Sequence, residues 1–350
     1  AAATAASTQG VEEAVATQLA LIGAAIRFSD TIHVGGGGSC AAHPVFAVLS
    51  YCWPLLQDAS RRGGPSVLQA LLELHGRAMG CLGGGLAPLL PSILEQIGTT
   101  FCRRPVVGAL ECLTQAIELY GESHEAPLSD TLERFVDAVC GWLASTAAPE
   151  AEPELLSAFF ELCHRCLVFR PQLLLSLPCV ASLFDAAAAC VAHQAHQTHL
   201  EHISATSSAT SRRVARQEFQ HTRAAITFLC LFLSGTDAAN LYRESAAHCL
   251  QRSGGTLLRY CVQGLASASP ANLVDHQIEL LRVIAESAPT AVHGWLVAAL
   301  ADPGLDLGAL PRQGAAAEAF VRGAAQQHAT VAAFHCVASE FSRVCRGKAR

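Results

Sequence analysis

The stretch Leu86-Ala87-Pro88-Leu89-Leu90-Pro91-Ser92-Ile93-Leu94-Glu95-Gln96-Ile97-Gly98-Thr99-Thr100-Phe101 decides the fold, together with the second segment that follows Cys102-Arg103-Arg104-Pro105 and closes at Glu118-Leu119-Tyr120-Gly121. Apolar residues recur at spacings of three and four on both sides of a short proline-marked joint, the pattern of two amphipathic helices folded back on each other. The same pattern runs through the chain, and no period-two run bounded by turns interrupts it. Punctuation at 35–38, Gly63-Gly64-Pro65, 83–85 with Pro88, Pro105, Pro127, 149–153, Pro171, Pro178, Pro270, Pro289 and Pro303 leaves segments of helix length between the marks. Gly83-Gly84-Gly85 reads as a helix terminator and turn. Ser129-Asp130 with Glu133 reads as a capping box, and Pro105, Pro270 and Pro289 as first-turn prolines, where a missing N–H costs nothing.

Paired off, the segments are 45–59 with 66–82, 89–101 with 105–120, 130–145 with 154–169, 178–202 with 218–234, 256–268 with 270–287, and 290–300 with a terminal set beyond Pro311. A unit of about 40–47 residues is the period of HEAT and armadillo arrays. A lone helix pair cannot cover its own apolar faces, so stacked pairs build one continuous core and line a concave surface with their second helices. The expected fold is therefore all-α, a right-handed α-solenoid of HEAT-like helix pairs in an ARM-type superhelix. Residues 1–42 are expected to form a partial leading repeat with a flexible Gly-rich joint, and 43–350 the array. Within the array, a small-polar stretch at 203–217 carrying Arg212, Arg213 and Arg216 reads as a loop, either a local basic patch or a solubilising segment.

Composition agrees. The 350 residues are 51% hydrophobic and 15% charged, with a mean hydropathy of +0.33, the reverse of a disordered chain. With 23 Lys+Arg against 29 Asp+Glu, the net charge is -6, so no general phosphate-neutralising surface is expected and nucleic acid is not a direct partner. The 15 Cys lie in apolar helical stretches without paired spacings, as small buried hydrophobes in a reducing compartment do. The best membrane candidate, 173–192, is broken by Pro178 and Asp185, so no membrane insertion is expected. The chain opens with Ala1-Ala2-Ala3-Thr4 and without a leader, and is expected to be a fragment of a longer protein.

Enzyme motifs are missing: no phosphate loop, dinucleotide fingerprint, nucleophile elbow or His-Glu-x-x-His. No catalytic residue, cofactor or metal is assigned. His193, His196, His199 and His202 step by three along a helix end and rotate away from one another, so four cannot converge on one ion; they read as a polar face or as adventitious Zn²⁺ or Ni²⁺ ligands. Cys163-His164-x-Cys166 lies mid-helix among Phe159, Phe160 and Leu162 and lacks a second half-site. One pattern does recur on the second helices: Glu111 with Glu118, Glu154 with Glu161, and Glu279 with Glu286, each seven apart and so on one stripe. On a concave face these acids would form a track steering a basic cargo; otherwise they are an ordinary solvated face.

Ordered blocks of the chain resemble the carboxy-terminal HEAT repeats of the importin-β superfamily, in the branch of importin-thirteen and transportin-SR. The blocks are His43-Pro44 leading to Tyr51-Cys52-Trp53-Pro54-Leu55-Leu56, taken as a helix ending near Trp-Pro-Leu-Leu; Leu86-Ala87-Pro88-Leu89-Leu90-Pro91; Glu118-Leu119-Tyr120-Gly121; and Arg170-Pro171. They continue with Arg223-Ala224-Ala225-Ile226-Thr227-Phe228-Leu229, His293-Gly294-Trp295-Leu296 and Phe341-Ser342-Arg343-Val344-Cys345-Arg346-Gly347. The resemblance implies a receptor that shuttles between nucleus and cytoplasm, carrying protein cargo past nucleoporins under control of the Ran GTPase. It places the Ran-binding repeats in an amino-terminal region outside this chain. Ala70, Glu73, Gly76 and Gly80 stand where the transportin-SR branch carries arginines for phosphorylated serine/arginine cargo, so the importin-thirteen side is nearer. The alternative is a HEAT scaffold without a transport role.

Overall fold

In the computed structural model, residues 2–27, 29, 43–145, 152–201, 219–235, 240–268, 271–307, 315–326 and 330–347 are described. The helices are α1 Ala2–Arg27, α2 Pro44–Arg62, α3 Pro65–Leu82, α4 Leu90–Arg103, α5 Val107–Tyr120, α6 Glu125–Ser145, α7 Pro153–Phe169 and α8 Pro171–Leu175. They continue with α9 Val180–Glu201, α10 Gln220–Ser234, α11 Leu241–Gln263, α12 Ala271–Ser287, α13 Val292–Ala301, α14 Ala315–Ala324 and α15 Val331–Cys345. No strand occurs among the described residues. The Gly-rich joint at 35–38, the loop at 203–217 with its arginines, and Pro270 lie outside them, as do the side chains of His193, His196 and His199 and all of His202. Among the described residues no helix is long and apolar enough to cross a membrane.

Two units emerge, Ala1–Val139 with Val168–Leu177, and Cys140–Leu167 with Pro178–Arg350. In the first, α3 packs on α1, α2 and α5, and α4 on α2 and α5. In the second, α9 packs on α10 and α11, α10 on α12, α11 on α12 and α13, and α12 on α15. In these contacts helices touch both a partner in their own pair and a helix of the next, the arrangement of an all-α solenoid of HEAT-like helix pairs.

The first unit is held by aromatic and backbone contacts repeated about forty residues apart. Phe101 of α4 stacks on Phe135 of α6 with ring centroids 3.9 Å apart, and burying such a ring is worth about 2–3 kcal/mol. The α3 terminator is as expected: Gly83 adopts φ +49, in the left-handed region, and its carbonyl accepts the Tyr120 hydroxyl at 2.7 Å. Prolines open helices at Pro44 and Pro65, whereas two of the expected first-turn prolines do not: Pro105 precedes the α5 N-cap Val106, and Pro289 lies in the turn before α13. The capping box at Ser129 is also corrected: α6 begins at Glu125, with Pro127 in its first turn, where no intrahelical N–H bond is lost. Nor does α2 end near Trp53-Pro54; it runs through Pro54 to Arg62.

In the second unit Phe159, Phe160, Phe184, Phe228 and Phe232 form a ladder with neighbouring centroids 5.3 to 6.0 Å apart. The Tyr242 hydroxyl donates to the Leu167 carbonyl at 2.7 Å. The segment expected to begin at 256 is instead a helix that starts at Leu241 and runs through Gly254-Gly255. Those glycines are a packing notch: a Cβ on Gly254 would lie 2.5 Å from the Trp295 ring of α13. At its far end α11 widens into a π-turn, Gly264–Ala268. There the Gly264 and Leu265 carbonyls accept from Arg346, at 3.0 and 3.2 Å, and Leu265 also from Ser342 at 2.7 Å. A side chain on Gly264 would collide with the Gln277 amide. The last two helices close over stacked Phe320 and Phe341, centroids 4.0 Å apart.

Candidate protein-binding face

The second helices of the pairs carry the acids singled out by their spacing. In the first unit, α3 and α5 approach closely because glycine stands at the crossing. A Cβ on Gly76 or Gly80 would meet the Gln115 amide at 3.2 or 3.3 Å, and one on Gly108 the Gln69 amide at 3.2 Å. At both glycines the Gln115 side chain from the next repeat lies over the α3 backbone. Beneath, the Cys112 thiol donates to the Leu72 carbonyl at 3.0 Å. Burial, with the neighbouring Glu111 charge adding to it, pushes that thiol up to about 12.

Glu73, Glu111 and Glu118 are exposed around this crossing. Glu73 accepts from Gln69 at 3.1 Å and pairs with Arg77 at 3.5 Å. Helix α5 contains no basic residue, so Glu111 and Glu118 give it two negative charges.

In the second unit the predicted acids sit beside arginines on their own helices. On α7, Glu154 and Glu161 are exposed, and Glu161 pairs with Arg165 at 3.0 Å. On α12, Arg282 grips both carboxylate oxygens of Glu279, at 2.6 and 2.9 Å, and also pairs with Glu286. The Arg282 hydrogen bonds hold the Glu279 carboxyl below its ordinary value. Each of these two helices therefore presents a net charge of about −1 from this group rather than −2. The spacing Glu279-x-x-Arg282-x-x-x-Glu286 carries that compensation in plain view, because residues three and four apart are neighbours on a helix.

No local motif points to the seam where α12 meets α15. His335 places Nε2 3.3 Å from Asp275 Oδ1 and Nδ1 3.2 Å from Ser339 Oγ. On the α10 side, His276 is held below its ordinary pKa by burial and then by the Arg223 charge. Asp275, His335 and Ser339 are the residue types of an acyl-transfer relay. Ser339 lies mid-helix, however, where backbone N–H groups are committed to intrahelical bonds, leaving no donor pair to stabilise an oxyanion. The geometry is that of a polar clip between two repeats. Cys163 and Cys166 face the core of α7, where burial raises both thiols. Among the described residues no group of His, Cys, Asp or Glu is arranged to hold a metal ion.

The faces so built are polar, helical and extended, suited to recognising another macromolecule through many exposed side chains. Neither a protein-family model nor a curated protein sequence matches the chain. Among solved structures it is similar to one titled "Importin13 cytosolic state", with a TM-score of 0.69 and 14% identity, over 95% of this chain and 38% of that one. The chain thus spans little more than a third of the solved chain it matches, and at this identity the likeness shows the fold alone, an all-α solenoid of helix pairs.

Proposed function

We propose that this chain is the carboxy-terminal part of a nuclear transport receptor of the importin-thirteen type, binding protein cargo on the concave face lined by the second helices. The observation that carries the reading is the likeness to a solved importin over 95% of the chain. Ran would act through an amino-terminal region of the full-length protein, and the receptor would shuttle between nucleus and cytoplasm past nucleoporins. Glu111, Glu118, Glu154, Glu161, Glu279 and Glu286 supply the electrostatics, and a basic cargo fits them. Helix α5, which has no basic residue of its own, carries two of these acids, whereas Arg165 and Arg282 stand beside the acids of α7 and α12. A solenoid binds by wrapping, with many weak contacts and no covalent step.

The test is a pull-down from nuclear and cytosolic extract with the full-length protein, with and without Ran locked in its GTP form. Partners that leave or join with Ran-GTP support a receptor and name the cargo; partners indifferent to Ran-GTP refute the transport reading and favour a scaffold. For a cargo so found, Glu111→Gln with Glu118→Gln is expected to weaken binding and flatten its salt dependence, by more than Glu279→Gln with Glu286→Gln. Equal or absent effects refute the role of α5.

A further inference from the structure

The edge where α2 and α4 end carries a second recognition surface, of opposite charge and independent of the transport reading. Arg61 and Arg62 close α2, Arg103 closes α4, and Arg104 is its C-cap. The two dyads stand 42 residues apart, the same position in successive repeats. Arg103 donates through Nη1 to the Arg61 carbonyl at 3.0 Å, holding the two helix ends together. All four arginines are exposed. Asp58 takes Arg62 at 2.9 Å, and Glu12 of α1 lies against Gly64. Arg61 and Arg104 pair with no carboxylate among the described residues.

A single cation in the last turn is enough to complement a helix C-terminus. Two dyads at one edge instead bring four arginines beside Asp58 and Glu12, leaving this edge positive in a chain of net charge -6. We propose that this edge binds an acidic segment of a partner protein in extended conformation. Packed helices lie about 8–10 Å apart, and an extended polyproline II chain brings every third side chain to one face at about 9 Å intervals, so carboxylates at every third residue match the dyads. Guanidinium forks donate to carboxylates two bonds at a time. A nucleic-acid strand fits less well, because stacking needs an exposed aromatic ring beside the cations. The exposed Tyr51 lies ten residues before Arg61 on α2, about 15 Å along the helix.

The test is fluorescence anisotropy with a labelled Gly/Ser peptide bearing Glu at every third position, titrated with the intact chain and with Arg61→Gln/Arg104→Gln. The substituted side chains are exposed and make no hydrogen bond, so far-UV CD and the melting temperature are expected to stay unchanged. The double substitution is expected to weaken binding about fivefold, and the wild type to bind a Gln-for-Glu peptide far more weakly. Equal binding of the Gln peptide, or unchanged affinity of the double variant, overturns the proposal. So does tighter, equally arginine-dependent binding of an oligothymidylate or of phosphatidylserine vesicles.

Discussion

Replacing His75 by Leu tests whether a neutral imidazole is built into the first unit. His75 is 1% exposed. Its Nε2 lies 3.1 Å from Gln96 Oε1, while its Nδ1 and the Gln96 amide nitrogen have no partner. The Trp53 ring lies 6.1 Å away, centroid to centroid. Burial depresses the ring from 6.5 to about 4, with the Gln96 hydrogen bond opposing. Because the folded value lies below the unfolded one, the unfolded chain binds the extra proton between pH 6.5 and 4. Stability from this group is therefore complete above pH 6.5 and falls as the pH drops through that window, at up to about 1.4 kcal/mol per unit. Between pH 7.5 and 5.0 the loss amounts to about 2 kcal/mol. His75→Leu leaves the Gln96 amide unpaired and lowers stability at neutral pH by about 1–3 kcal/mol, so the diagnostic is the pH dependence. Urea unfolding followed by far-UV CD at the two pH values is expected to show a smaller acid-induced loss for the variant. An equal loss in both proteins refutes the reasoning.

Two further predictions concern packing and thiol access. Gly254→Val drives a side chain into the Trp295 ring and is expected to cost about 1–3 kcal/mol, read as a lower melting temperature, whereas Gly255→Ala, whose Cβ would lie 3.2 Å from the same ring, costs less. Among the described cysteines, Cys102 and Cys336 are exposed while Cys163, Cys166, Cys190 and Cys261 are buried with raised thiol pKa values. Iodoacetamide is therefore expected to label the first two in the folded protein and the other four only in denaturant, as peptide mass spectrometry would show.

The helix-pair architecture was legible because it rests on local signals: apolar residues at three- and four-residue spacing, and terminators such as Gly83 with its positive φ. What escaped reading depends on tertiary contact. Gly254-Gly255 looks like a break until Trp295 is seen filling the notch. Glu125 opens α6 ahead of a better-looking cap at Ser129, because Pro127 fits the first turn. The seven-residue spacing of the acids was legible, and so was their compensation by Arg165 and Arg282. The Asp275–His335–Ser339 clip was not, since it joins helices about sixty residues apart. The arginine dyads were available to any reading that compared successive repeats at the offset of 42.

The π-turn at the end of α11 also sets a timetable for synthesis. Its carbonyls await donors from Ser342 and Arg346, which lie 77 to 82 residues downstream. At about 5–20 residues per second, the ribosome needs on the order of ten seconds to supply them. Through that interval the Gly264 and Leu265 carbonyls depend on water, while α11 is already long enough to dock on α9. The emerging chain therefore matures from its amino-terminal side, and its last clasp joins parts made furthest apart in time.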